Sequence, residues 1–394
     1  MEKLKRSSRS DELKQKKKKR TRNILVLLII LIVALLAMIV IYINNNQSLN
    51  AFKIEQTVEL SNTENCSFVS YKNGIVKFNR DGAQAITSDG KQLWTISYNL
   101  KEPIADVNGS YVAIGELNGK TVYVINGSGE AKEITVPYPV VEVEVAAQGV
   151  CAILVNNGTQ DFIYFYTLDS SDYIAYIKTV TSQDGFPVDM SLSEDGKKLV
   201  TTYVKADSDS IASEITFHNL GDVGKNYLER LVGAYPLSNE FVAQVEFISN
   251  DLLVAFKDNG FYMYSFKEVP SEVVSETYDS AIINIFNNAN HVGLILEDTS
   301  SSKKNRVIVY HINGKKVMDT SIDFSYEKIV ASQNYIVFYD SVSCHVMNFE
   351  GKLVFCDTFT EKINQMYAGS TSWKFITLTD IAMNTIQMVE TKEE

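Results

Sequence analysis

One apolar run recurs along most of this chain at a nearly constant interval, and that interval restricts the fold more than any other feature. Each copy is a short run of mostly apolar residues, usually entered from a Gly or Asn turn. The first four are Gly74-Ile75-Val76-Lys77-Phe78, Tyr111-Val112-Ala113-Ile114, Val150-Cys151-Ala152-Ile153-Leu154-Val155 and Leu199-Val200-Thr201-Thr202-Tyr203. The next four are Leu252-Leu253-Val254-Ala255-Phe256, Val292-Gly293-Leu294-Ile295-Leu296, Tyr335-Ile336-Val337-Phe338-Tyr339 and Trp373-Lys374-Phe375-Ile376-Thr377. Taken from residues 75, 111, 150, 199, 252, 292, 335 and 373, the steps are 36, 39, 49, 53, 40, 43 and 38, with a mean of about 43. Runs this short read as strands, and a period of about 40–50 residues is that of a four-stranded propeller blade.

A second marker keeps register with the first. Asp89-Gly90-Lys91, Asn313-Gly314-Lys315 and Glu350-Gly351-Lys352 each follow an apolar run and precede another hydrophobic stretch, with Ser128-Gly129-Glu130 a weaker version. Glycine after a polar residue supplies the positive φ that a tight hairpin needs, so these mark the turn between the two outer strands of a blade. The last block, 361–389, has room for three strands, while Phe52–Leu60 alternates cleanly and stands before the first block. That orphan strand is expected to complete the final sheet and close the ring. The expected fold is therefore all-β: a propeller of eight four-stranded blades, or seven if one long step is an insertion. Two stacked sandwiches would need a central linker, and a solenoid would repeat every 20–30 residues; neither fits.

The N-terminal segment reads differently. Residues 1–22 hold 11 Lys or Arg against three acids, a local charge of +8, which leaves −19 on the remainder of a chain whose net charge is −11. Phosphate backbones are repelled by so acidic a domain, so nucleic acid is not an expected partner. Ile24 to Ile43 are twenty residues without a charge, enough to cover a bilayer core of about 30 Å as helix. A cleaved signal peptide is the weaker alternative, because the run is long and no small-x-small site follows it. The expected organisation is a cytoplasmic basic tail (1–22), a transmembrane signal-anchor helix (23–43) in contact with lipid through residues 24–43, a linker (44–51) and an extracytoplasmic propeller (52–394). The positive flank keeps the N-terminus inside the cell membrane.

Two segments in the long steps, Ala206-Asp207-Ser208-Asp209-Ser210 and Gly221-Asp222-Val223-Gly224-Lys225-Asn226, read as surface loops on one face of the fourth blade. Asp207, Asp209, Asp222, Lys225 and Asn226 are the candidate partner-binding residues, since loops on a rigid scaffold carry recognition. The D-x-D at Asp207 lacks the βαβ pattern of a nucleotide-sugar enzyme and reads as a solvated loop. None of His218, His291, His311 and His345 has a metal-ligand neighbour at useful spacing. Neither catalytic residues, nor a metal, nor a cofactor is therefore expected. Of the four cysteines, Cys344 and Cys356 flank the Gly351 turn. A three-residue loop would set them opposite one another, where a cross-strand disulfide could form; buried free thiols are the alternative.

Gly90-Lys91-Gln92-Leu93-Trp94 resembles repeats of quinoprotein-type propellers and of outer-membrane assembly lipoproteins, and Ser193-Glu194-Asp195-Gly196-Lys197-Lys198-Leu199 resembles a WD40-like turn. The layout of basic tail, span and eight blocks resembles an uncharacterised Gram-positive family of membrane-anchored propellers (domain of unknown function 5711-like). That resemblance implies a fold and no activity. The function expected is a non-enzymatic binding or scaffold module for an envelope protein or cell-wall polymer, the alternative being an envelope hydrolase or oxidoreductase with its site in the propeller channel.

Overall fold

The structure, a computed structural model, describes residues 23, 25–36, 38, 49–61, 63–207, 210–298 and 305–391. Thirty-two strands, numbered β1 to β32 in chain order, form eight antiparallel sheets of four among the described residues. Seven sheets use consecutive strands. The eighth takes three from the C-terminal end and one from the N-terminal end, in the order β1-β32-β31-β30. The ring has eight blades.

Each recurring apolar run is the second strand of its blade, as in β3 (Gly74–Phe78), β11 (Cys151–Asn156) and β19 (Leu252–Lys257). Such a strand has a strand on either side and a neighbouring blade above and below. Both faces are therefore buried, and Cys151 to Val155 are almost fully enclosed. Alternation is lost for that reason, and the strand shows in the sequence as an unbroken apolar run. Adjacent blades share cores: Ala113, Val122 and Val124 of blade 2 pack with Val143, Ile153 and Val155 of blade 3.

The outer hairpins obey the glycine marker. Gly90, Gly129, Gly314 and Gly351 stand at φ 83–85°, and each donates its N–H to the carbonyl three residues back, as Gly90 does to Thr87 at 2.9 Å. In three of the four the ladder slips by one residue just beyond the turn, between Ala85 and Ile86, Val309 and Tyr310, and Val346 and Met347. This is a type I turn with a glycine bulge. In blade 7 the slip makes Val354 the extra residue of β29 (Leu353–Thr358), so Cys356 faces His345 and Cys344 faces Asp357. The two thiols thus lie on opposite sides of the sheet, so the possible cross-strand disulfide between Cys344 and Cys356 does not form, and both are free thiols.

Closure comes from β1 (Ala51–Glu59), which pairs with β32 (Ala382–Val389) from Ala51 opposite Val389 to Glu59 opposite Ala382. Phe52 also latches this sheet to blade 7. Its N–H donates to Asp357 Oδ2 at 2.8 Å, and its ring meets Phe355 and Phe375 edge-on at 5.3 and 5.7 Å. Burying one such ring stabilises by about 2–3 kcal/mol.

Asn50–Val389 form one compact unit, and residues 25–36, which are helical, belong to another. Among the described residues no helix is long and apolar enough to cross a membrane. The expected bilayer-spanning helix is therefore corrected, and with it the single-pass cell-membrane location and the assignment of the two ends to cytoplasm and exterior. The basic tail at 1–22, residues 39–43 and most of the linker lie outside the described residues.

Because β1 supplies the fourth strand of blade 8, deleting residues 51–59 is expected to abolish the single cooperative melt seen by circular dichroism and to cause self-association. An unchanged, monomeric melt would show that the ring does not need this strand.

Candidate functional site

The strands nearest the ring axis are the first of each blade. Those of blades 2 to 5 are β6 (Pro103–Asn108), β10 (Val140–Val145), β14 (Phe186–Leu192) and β18 (Val242–Ser249). Inner strands of neighbouring blades are not paired in a common sheet, so their N–H groups need other acceptors. Here side chains serve. Asp106 Oδ2 accepts from Val145 N at 2.7 Å, Glu142 and Glu144 accept from Met190 and Leu192 at 3.4 and 3.3 Å, and Asp189 Oδ2 accepts from Val245 N at 2.7 Å. Ser191 Oγ continues the series to Phe247 N at 3.0 Å. Each blade thus reaches forward to the next.

The same carboxyl groups crowd one another. Burial raises the pKa of all five, Asp106, Glu142, Glu144, Asp189 and Glu246, and their neighbours' negative charge raises several further. Asp189 is pushed up to about 6 and Glu246 to about 7. After burial itself, the negative charge of Asp189 is the largest influence raising Glu142. At one end the cluster opens into a polar cavity of about 260 Å3, lined by Asp106, Glu144, Ser191, Glu194 and Glu246. This is the mouth of the channel on the rim where the inner strands end. Among the described residues no three His, Cys, Asp or Glu side chains are placed to hold a metal ion.

Strand direction decides where the sequence-derived loops fall. β15 (Lys198–Asp207) and β16 (Ser210–Asn219) are both ten residues long, with Asp207 opposite Ser210 at the tip of their hairpin. The Asp222 loop leaves the other end of β16. At about 3.4 Å per residue the two sites are roughly 30 Å apart, on opposite rims, not on one face as expected. Asp207 ends β15, and Asp209 lies outside the described residues. Asp222 and Lys225 form an exposed ion pair at 2.7 Å that lowers the Asp222 pKa, and Asn226 ends the short 3-10 turn Val223–Asn226. These charges largely satisfy each other.

The loop continues past the predicted residues into Tyr227, Leu228, Glu229 and Arg230. Glu229 and Arg230 both adopt left-handed backbone, at φ 52° and 60°, a conformation that costs of order 1 kcal/mol or more per residue outside glycine. Arg230 Nη1 donates to the Leu220 carbonyl at 2.9 Å and pins the loop base. Leu228 is 89% exposed at its tip. Because β14 and β16 run the same way, this tip shares a rim with the acidic mouth.

The family described as "Family of unknown function (DUF5711)" matches residues 45–388. The chain belongs to this family. No curated protein matches it. Among solved structures, this member of the family is similar to BamB from Moraxella catarrhalis, with 11% identity over 86% of this chain and 100% of that one, at a TM-score of 0.54. It is similar to apo AztD from Citrobacter koseri at 9% identity, 76% and 86% coverage and a TM-score of 0.52. A eukaryotic initiation factor gives 10%, 88%, 89% and 0.56. Identities this low establish the propeller fold alone.

The acidic inner strands carried a signal that period-based reading passes over. Val140-Val141-Glu142-Val143-Glu144-Val145 and Val188-Asp189-Met190-Ser191-Leu192 place polar residues, Glu142 and Glu144 in one and Asp189 and Ser191 in the other, at alternate positions within segments that otherwise read as buried strands.

Carboxyl groups with raised native pKa values hold their protons more tightly folded than unfolded. Their contribution to stability is present at low pH and is lost as pH climbs from about 4 through about 7. Stability is therefore expected to fall by about 2 kcal/mol between roughly pH 5 and pH 8, after allowance for solvent in the channel. Glu246→Gln is expected to flatten that slope in urea titrations. A slope of opposite sign, or one untouched by the substitution, would refute the assignment.

Proposed function

We propose that this propeller is a non-enzymatic binding module whose recognition surface is the rim carrying the acidic channel mouth and the Leu228 loop. The partner is a basic protein segment, or an envelope protein or polymer that displays one, and nucleic acid is not among its ligands. The observation that carries this reading is Leu228, 89% exposed on a loop held in left-handed backbone at the next two residues. The loop is pinned at its base by Arg230 on the Leu220 carbonyl, and an apolar side chain on a pinned loop loses less entropy when it docks. Four carboxyl groups line the channel mouth on the same rim, Asp106, Glu144, Glu194 and Glu246, and a cationic group docking beside that anchor would draw off the protons that burial holds on Asp106, Glu144 and Glu246.

The test is site-specific photo-crosslinking in cells of the native host, with the crosslinker at position 228 or at position 211 on the opposite rim. A discrete adduct from 228, weakened about tenfold by a Glu144→Gln, Glu246→Gln double substitution and absent from 211, is the expected result. The same adduct from 211 alone would overturn the choice of rim. Catalytic turnover of an isolated adduct by the purified chain would overturn the binding-module reading.

A further inference from the structure

Ring closure leaves a gap in its own seam. Between blade 8 and the segment that leads out of β29 lies a half-enclosed cavity of about 100 Å3, whose lining includes Phe52, Asp357, Phe359, Glu361, Thr379 and Asn384. Asn384 is only 5% exposed, and its Oδ1 has no hydrogen-bond donor within the protein. A buried acceptor left without a donor costs about 1–3 kcal/mol, so its persistence calls for a donor from elsewhere. The cavity lining does not provide a cationic one: it contains two carboxylates and no Lys, Arg or His. The Thr379 hydroxyl is engaged with the Ala382 backbone, donating to its carbonyl at 3.3 Å.

The remaining walls narrow the chemistry. Phe52 and Phe359 are stacked with centroids 6.3 Å apart, presenting aromatic surface beside Asp357 and Glu361. An amide oxygen, carboxylates and aromatic rings without a cation are the elements that recognise an ammonium group. The enclosed part is small beside the engineered apolar cavity of about 150 Å3 that holds one benzene, so it suits a small head group better than a whole sugar ring or nucleotide base. A protonated amine with a few methylenes meets that description.

We propose that the seam pocket binds the ammonium end of a primary alkylamine, with Asn384 Oδ1 accepting one of its N–H groups. Asp357 and Glu361 supply the counter-charge, and Phe52 and Phe359 cover the methylenes. A free small amine and the lysine side chain of another polypeptide present this same group. The site is separate from the rim described above, so either can fail without the other.

Ligand-observed NMR titration of the full chain tests it with three probes: n-butylammonium, Nα-acetyl-lysine N-methylamide and uncharged 1-butanol. Saturable binding of butylammonium, at least about tenfold tighter than butanol, is expected. Asn384→Leu is expected to reduce that affinity about tenfold while melting no lower than the parent, because it removes an unsatisfied buried oxygen. Glu361→Gln, at the exposed mouth, gives a second variant should the first misfold, and is expected to weaken binding severalfold. Binding of the lysine derivative as well would identify a polypeptide lysine as the natural group, and binding of butylammonium alone a free amine. Equal binding of butanol, no saturable binding of any probe, or full affinity in both variants would overturn the proposal.

Discussion

Everything in this fold depends on the antiparallel pairing of β1 with β32. A propeller is a sheet stack bent into a ring, and a ring has an open end unless something bridges the last blade to the first. Here the bridge is a ladder from Ala51 to Glu59, reinforced by the Phe52 N–H on Asp357 and by the Phe52 ring among Phe355, Phe359 and Phe375. With the ring closed, the inner strands converge and the seam cavity acquires its walls. Without it, β32 would present a bare edge of N–H and C=O groups.

Convergence at the axis creates its own problem. Inner strands from neighbouring blades cannot form a continuous ladder, so their axial N–H groups need acceptors from side chains. Blades 2 to 5 solve this with Asp106, Glu142, Glu144, Asp189 and Ser191, each reaching into the next blade. The solution has a cost. Burying five carboxyl groups around one channel raises their pKa values, and the negative charge of those that ionise raises several of them further. The acidity of this rim is thus a by-product of how the blades are stitched together.

The parts of the fold that could be read from the residues are those whose environment is set locally. Second strands are buried on both faces and therefore show as apolar runs; outer turns need positive φ and therefore show as glycines. What escaped the sequence depends on longer range. The Gly351 turn was visible, but the bulge at Val354 that follows it was not, and one residue of slip moved Cys356 from opposite Cys344 to opposite His345. The ten-residue length of β15 and β16 could not be read from a period, so the Asp207 and Asp222 segments were expected on one rim and lie on two. Nothing local to Glu144 and Glu246 says that their strands face a channel. Phe52 and Asn384 meet in one pocket although 332 positions separate them in the chain. The helix at 25–36 shows the reverse failure, where an apolar run long enough in sequence is not matched by a spanning helix among the described residues.

The order of strands along the chain also has a consequence in time. β1 is the first strand of the propeller to leave the ribosome, and β32 is the last. At about 5–20 residues per second, β1 waits on the order of tens of seconds for its partner while seven blades assemble behind it. During that interval it is a nine-residue strand with no sheet to join. Its composition suits the wait: Lys53, Glu55 and Glu59 interrupt its apolar residues, and charges of this kind on an unpaired strand discourage pairing with the wrong chain. The nascent protein is therefore most vulnerable to misassembly just before it is finished.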